Sequence, residues 1–439
     1  MNRYLAFLLF LLGLGHSAFA QQSETILNLN KPERQAWFSD LGLGMFIHWS
    51  FDVQLGMVIS HSMVGASEDY LNRYIHELPK TFDPENFDPQ QWAKAARLAG
   101  MKYIVFTTKH HNGFCMFDTK TTDFNIMNTA YARDVTRMVV DACRKEGLAV
   151  GLYFSPDDFY FLHEQGTLIS RNRPEAMPKN NPELTAYIRK QMAELMTNYG
   201  DIDIVFLDGV DQYGKTELAK VCWEINPDVV VTRGAIETPE QETPDTPIPA
   251  PWEACYTLGD QWQFRPTNEQ YKTANETIRK FIEIRSKGGN FLLNFGPEAD
   301  GTFPKDQLGV LNEFALWMFI NQEAFDGTVS LPFTHEGNVW YLKKKGEPVV
   351  YAFLLEDNWE LGARKTYQLN HFKANAATKI SVLGQNGKVL EYQPDIDPTP
   401  AIKNTANGIE ISVMRAQRIY NDRKWPNPVV VKLENVELK

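Results

Sequence analysis

Cysteine is scarce in this chain: Cys115, Cys143, Cys222 and Cys255 are the four in 439 residues. None forms a C-x-x-C pair or a close Cys/His spacing, so neither a zinc site nor a disulfide framework is signalled, and buried free thiols are expected. Positive charge is also in short supply. Lys and Arg number 44 against 55 Asp and Glu, a formal net charge of −11, which disfavours nucleic acid and anionic membrane surfaces and leaves a neutral ligand as the easier expectation. Beyond the N-terminus no apolar run approaches the roughly 20 residues of a spanning helix, and no internal repeat or low-complexity tract occurs.

The N-terminus itself is distinctive. Met1-Asn2-Arg3 precedes an apolar stretch from Leu5 to Leu14 and then Ser17-Ala18-Phe19-Ala20, the pattern of a signal peptide over residues 1–20. It predicts a periplasmic or secreted protein without membrane insertion.

Short, β-rich apolar runs then alternate with helical patterns. The runs are Gly44 to Trp49, Lys102 to Thr107, Ala149 to Phe154, Asp203 to Leu207, Asp228 to Val231 and Asn290 to Asn294; helices are expected at 134–146, 182–199, 215–225 and 272–287. Strands that are apolar throughout imply a parallel sheet covered on both faces. Their number favours a (β/α)8-like, TIM-type barrel over residues 21–330, with an open doubly wound sheet as the other solution. Polar residues gather at the C-terminal ends of these runs: His48, Lys109-His110-His111, Tyr153 with Ser155, Asp208 and Arg233. In barrels that end carries the active site. From about residue 331 to 439 the pattern becomes alternating, as in Lys379 to Leu383 and Gly408 to Val413, with turns such as Gln385-Asn386-Gly387, which predicts a C-terminal antiparallel β-sandwich domain. Glu237 to Pro251, rich in Pro, Glu and Thr, reads as one long loop.

Asp208 follows four apolar residues and precedes Gly209, which sets a carboxylate at the mouth of a buried strand; a turn or helix-capping aspartate would look the same. Glu240 and Glu253 lie downstream. Retaining cleavage of a glycosidic bond needs one ionised carboxylate as nucleophile and one protonated partner roughly 5–5.5 Å away, although a glutamate in a Pro/Thr-rich loop is usually just solvated. His110 and His111 with His48 raise the question of a metal. Neighbours on an ideal strand point to opposite faces, which speaks against shared chelation, and neutral imidazoles suit sugar hydroxyls, each with one donor and one acceptor. Trp49, Tyr153, Trp252 and Trp262 are candidate aromatic walls for a sugar ring.

These segments resemble glycoside hydrolase family 29, the retaining α-L-fucosidases, over nearly all of the chain after the leader. The matching pieces are Gly44-Met45-Phe46-Ile47-His48-Trp49, Lys109-His110-His111-Asn112-Gly113-Phe114, Gly151-Leu152-Tyr153-Phe154-Ser155, Phe206-Leu207-Asp208-Gly209, Thr238-Pro239-Glu240, Trp252-Glu253-Ala254-Cys255 and Lys287 to Pro297. The resemblance implies Asp208 as nucleophile, and His48, His110, His111, Tyr153 and Arg233 around the fucosyl group, with Trp49, Glu68 and Trp262 as further substrate-binding candidates. It implies Glu240 as acid/base, with Glu253 as the alternative, and no cofactor or metal. The expected partner is a fucosylated oligosaccharide or glycoconjugate. An α-L-galactosidase, or an inactive carbohydrate-binding protein on the same scaffold, are the alternatives. Departures from the family pattern are Asn112 where Asp is usual, Glu68-Asp69-Tyr70 where a Glu-Trp-Tyr segment is usual, a longer stretch from Phe51 to Ala66, and Phe206 where a tryptophan is often found.

Overall fold

The computed structural model describes residues 27–267, 270–418 and 424–439; the expected signal peptide lies outside them. Seven parallel strands form one sheet: β1 (Leu43–Ile47), β2 (Tyr103–Lys109), β3 (Ala149–Phe154), β4 (Ile204–Leu207), β5 (Val230–Thr232), β6 (Glu253–Thr257) and β7 (Asn290–Phe295). Their spatial order is β5-β4-β3-β2-β1-β7-β6. Between the outer members β5 and β6 runs an extended segment that bridges β6 at Glu237–Trp252 and Glu240–Cys255. The expected TIM-type architecture is therefore present with seven parallel strands among the described residues and an irregular stave beside β6. The long loop expected over 237–251 is ordered against β6 in its first five residues, where Gln241 N donates to Cys255 O (2.9 Å) and Cys255 N to Pro239 O (3.0 Å).

The nine helices among the described residues are α1 (Pro32–Leu41), α2 (Glu68–His76), α3 (Pro89–Leu98), α4 (Val135–Glu146), α5 (Phe159–Glu164), α6 (Pro182–Asn198), α7 (Gln212–Ile225), α8 (Ala274–Ser286) and α9 (Lys305–Asn321). Local chemistry sets their ends. Asp134 caps α4 by accepting from Arg137 N, and Gly147 closes it in the left-handed conformation. α8 opens with a capping box between Thr273 and Glu276. Of these, α1, α3, α4, α7 and α8 pack directly against the parallel strands, and α6 and α9 pack on neighbouring helices.

Strand alternation sends every second residue inward. The inner filling includes Phe46, Tyr103, Val105, Tyr153, Ile204, Phe206, Val230, Cys255 and Leu292, all buried. All four cysteines are free and buried, as expected. Residues from 328 onward form antiparallel sheets. The largest orders Lys379–Val382, Val429–Glu434, Val349–Leu354, Val339–Lys344 and Thr328–Val329, and a second pairs Arg364–Leu369 with Gly408–Met414 and that with Ala401–Thr405. Trp317 Nε1, on α9, donates to Pro428 O (2.9 Å) and so ties the barrel helices to these sheets.

One inner position admits no side chain. A Cβ on Gly44 would stand 2.3 Å from the Tyr103 ring, which is itself fully buried. Gly44→Ala is expected to displace that ring and to destabilise the fold by about 1–3 kcal/mol, measured as a lowered thermal or denaturant midpoint with an unchanged m-value.

Candidate active site

The strand ends β1 to β6 and their following loops enclose a cavity of about 460 Å³ whose walls include His48, His110, His111, Tyr153, Asp208, Arg233, Glu240 and Trp262. Asp208 is at its centre. It leaves β4 one residue after Leu207, and Gly209 follows with φ +95°, a turn that a side chain would strain. Tyr153 O–H donates to Asp208 Oδ2 (2.7 Å), Arg233 Nε lies 3.1 Å from Oδ1, and His111 Nε2 lies 3.4 Å from Oδ2. Burial pushes this carboxyl up, but the Arg233 guanidinium and the His111 hydrogen bond outweigh it and hold Asp208 well below the usual carboxylate range.

Arg233 deserves its contacts geometrically: it sits at φ +47°, a sparsely populated conformation for a side-chain-bearing residue, braced by Arg233 N donating to Thr238 Oγ1 (3.0 Å). Its Nη2 also donates to Glu240 Oε2. Two carboxylates thus share one guanidinium.

The histidines line the floor. His48 Nδ1 is 2.6 Å from Asn294 Oδ1, and Asn294 Nδ2 donates to Trp262 O (2.7 Å). That second bond fixes the amide orientation, so His48 carries its proton on Nδ1 and leaves Nε2 as an acceptor. Burial lowers the His48 pKa to about 4. His110 stacks on Tyr153, centroids 5.1 Å apart at 11°; burial, reinforced by His111 and His48, holds it well below the ordinary imidazole range. Both are neutral at physiological pH.

The expectation that His110 and His111 diverge is corrected. They follow β2 rather than continue it, in a turn anchored by the fully buried Lys109–Asp158 pair (2.8 Å) and by Gly113 at φ +87°. Their rings are 4.3 Å apart. His110, His111 and Asp208 bring ligand atoms within 4.8 Å of one another, a set that could receive a cation were Arg233 not already bound to the carboxylate.

Four expected residues do not reach this site. Trp49 is fully buried beneath it, packed on Phe82, Phe87 and Trp92, with Nε1 donating to Glu298 O (2.9 Å). Glu68 is exposed in the first turn of α2 and is absent from the cavity wall. Trp252, just before β6, is buried and likewise absent from that wall, with Nε1 donating to Lys287 O (3.3 Å). Glu253 begins β6, whereas Thr257 at the end of that strand lines the cavity. Four residues at about 3.3 Å each separate them, so Glu253 lies at the opposite end of the barrel, fully buried, accepting from Tyr103 O–H.

Sequence reading also overlooked residues that do line the cavity. Val58, Ser60 and His61 enter from the segment after β1, Arg171 from the loop after α5, and Asp260 and Gln261 from the loop after β6. Arg171 Nε pairs with Asp157 Oδ2 (3.1 Å), and Asp157 lies 3.5 Å from His111 Nδ1. Lys215, buried in the first turn of α7, has its pKa lowered by burial to about 8. No local pattern marks any of these.

A family profile described as Alpha-L-fucosidase matches residues 14–323. This chain belongs to the α-L-fucosidase family. It is 28% identical to the plasma alpha-L-fucosidase of Homo sapiens over 415 residues, covering 83% of this chain and 84% of that one. To the alpha-L-fucosidase of Dictyostelium discoideum it is 25% identical, covering 98% of each. Among solved structures, alpha-L-fucosidase isoenzyme 1 from Paenibacillus thiaminolyticus superimposes with a TM-score of 0.73 at 29% identity, over 93% of this chain and 99% of that one. A GH29 alpha-L-fucosidase from Bacteroides thetaiotaomicron, trapped as a covalent intermediate, shares the fold at TM-score 0.69 and 22% identity, over 93% and 97%. Membership in the α-L-fucosidase family makes the protein a glycosidase, and the cavity is its candidate active site.

The misplaced glutamate has a measurable consequence. Burial raises the Glu253 pKa from 4.5 to about 7. Between those values the folded protein keeps a proton that the unfolded chain has released, so stability falls as pH rises through this window and levels off above it. Relative to Glu253→Gln, the wild type should lose up to about 3 kcal/mol between pH 4.5 and 8, read from urea unfolding at several pH values. Parallel stability curves for the two proteins would contradict this.

Proposed function

We propose that the protein is an exo-acting, retaining α-L-fucosidase that releases terminal fucose from fucosylated oligosaccharides or glycoconjugates, with Asp208 as nucleophile and Glu240 as acid/base. The observation that carries this reading is Asp208 itself: an ionised carboxylate at a barrel-strand end, oriented by Tyr153 and Arg233. Glu240 reaches the same guanidinium on an adjacent nitrogen. A shared guanidinium bounds their separation and is compatible with the roughly 5–5.5 Å of retaining enzymes.

In the first step an Asp208 carboxylate oxygen bonds to the anomeric carbon as the glycosidic C–O bond breaks, and Glu240 gives its proton to the departing oxygen. Water then attacks the same carbon, Glu240 takes a proton from it, and the Asp208 ester bond breaks. His48 and His110 address hydroxyls as neutral imidazoles, His111 adds a further ring beside Asp208, Tyr153 orients the nucleophile, and Trp262 with Phe46 and Phe206 offers the apolar surface that suits a deoxysugar's methyl group. The chemistry calls for no cofactor. Among the described residues no helix is long and apolar enough to cross a membrane, and the leader over residues 1–20 supports export to the periplasm or medium.

Proton NMR of the first-formed sugar should show α-L-fucose; an initial β anomer would reject double displacement. Glu240→Ala should lose about 10²–10⁴-fold on substrates with poor leaving groups, far less on activated aryl fucosides, and should accept azide at the glycosyl-enzyme. If it shows neither effect, another carboxyl of the cavity rim supplies the proton, and Asp260 is the other one there among the described residues.

The apolar wall also bears on the sugar. An aryl α-L-fucoside should exceed the matching α-L-galactoside in kcat/KM by about 10²-fold. A larger kcat/KM for the galactoside would reassign the substrate.

A further inference from the structure

The segment between β1 and α2, Phe51 to Ala66, folds into a strap along one side of the cavity mouth. Its inner side is pinned by a buried network. Tyr74 O–H donates to Asp52 Oδ2 (2.7 Å) and lies 2.8 Å from Ser62 Oγ; it accepts from Asn112 Nδ2 (3.1 Å). Gln263 Nε2 donates to Asp52 Oδ1 (3.0 Å) and to Met57 O (3.3 Å). Tyr70 O–H donates to Ser62 O (2.7 Å). Asp52, Tyr74 and Asn112 are buried, so the strap is held on a fixed base.

Its outer side is unlike the cavity floor. A turn closed by His61 N donating to Val58 O (3.0 Å) presents Val58, which is 39% exposed, beside Ser60 and the exposed His61. Ser60 Oγ engages His61 Nδ1 (2.9 Å), which leaves Nε2 without a protein partner among the described residues. The floor histidines are 1–4% exposed and surround Asp208. An apolar side chain adjoining a pre-oriented imidazole matches the two faces of a sugar ring, C–H on one side and hydroxyl on the other. At the rim, these groups meet what projects from the pocket rather than what fills it.

We propose that Val58, Ser60 and His61 form the subsite for the sugar from which fucose departs, with His61 Nε2 bonded to one of its hydroxyls, and that this strap sets the preference for oligosaccharides over simple fucosides. The inference rests on the fucosidase reading and adds the leaving group's identity as a neutral sugar residue. The Asn112 amide donates to Tyr74 at the strap's base, which a carboxylate in its place could not do.

The experiment compares wild type, His61→Ala, His61→Gln and Val58→Ser on an aryl α-L-fucoside and on fucosylated galactosides and N-acetylglucosaminides. The ratio of kcat/KM for the best oligosaccharide to that for the aryl fucoside should fall about fivefold to tenfold in His61→Ala, the worth of one hydrogen bond, through KM rather than kcat. His61→Gln should recover part of it. Calorimetry in an Asp208→Asn background should show weakened oligosaccharide binding without a matching change for free L-fucose. An equal loss on aryl fucoside and free fucose would mean that His61 holds the fucosyl group, and an unchanged ratio in both His61→Ala and Val58→Ser would mean that the strap contacts no sugar; either overturns the proposal. Wild type inert towards every α-L-fucoside would instead overturn the fucosidase reading, which the wild-type arm reports first.

Discussion

An ionised carboxylate set among aromatic rings has to be compensated by its neighbours, and the cavity is organised around that requirement at Asp208. Its side chain is 16% exposed, with Phe206 and Tyr153 below it. The compensating groups come from three parts of the sheet: Tyr153 from β3, His111 after β2 and Arg233 after β5. No short peptide could bring them together, so the state of Asp208 depends on the barrel's assembly. The strained backbone of Arg233 belongs to the same arrangement. A conformation that costs of order 1–3 kcal/mol aims adjacent guanidinium nitrogens at two different carboxylates. His48 and His110, kept neutral by burial, add hydrogen-bonding capacity without competing for that charge.

Period-two alternation sorts the remaining polar residues by depth. On β6 the inward positions are Glu253, Cys255 and Thr257, and on β1 Gly44 and Phe46 lead up to His48. On these two strands the bottom position, Gly44 or Glu253, lies away from the cavity, while the middle and top ones line it. Six of the seven parallel strands were legible as apolar runs ending in a polar residue, and the histidines, Tyr153, Asp208 and Arg233 were legible by that position. β6 was not, because Glu253-Ala254-Cys255-Tyr256-Thr257 opens on a carboxylate and follows a Pro-rich stretch. Its strand character comes from pairing with β7, a tertiary fact. Missing the strand also hid the depth of Glu253, which made it look equivalent to Glu240.

The other misplacements share a cause. Trp49 follows His48 directly, and one residue along an extended chain reverses the side chain from cavity to core. His110 and His111 escape that rule because the chain has already turned at Lys109, whose buried partner Asp158 lies 49 residues away. Glu68 was carried from a family segment, but the longer strap places α2's first turn outside and offers His61 to the cavity. Arg171 and Gln261 stand on loops whose course is set by packing at a distance, with no periodicity to betray it.

The clustering of His110, His111 and Asp208 can be weighed between a cation and a sugar by charge alone. A cation there would have to compete with Arg233, 3.1 Å from Asp208, while Lys215 is buried nearby and feels the same carboxylate. A neutral sugar meets no such opposition. It draws on the imidazole donors and acceptors and on ring faces, leaving the Asp208 charge unspent in the ground state. As the glycosidic bond lengthens, positive charge grows at the anomeric carbon and the ring oxygen. Interactions that strengthen only then lower the barrier, whereas those present throughout do not. Neutral His48 and His110 beside the Arg233-paired carboxylate suit that distinction, since binding rests on the former and the chemical step on the latter.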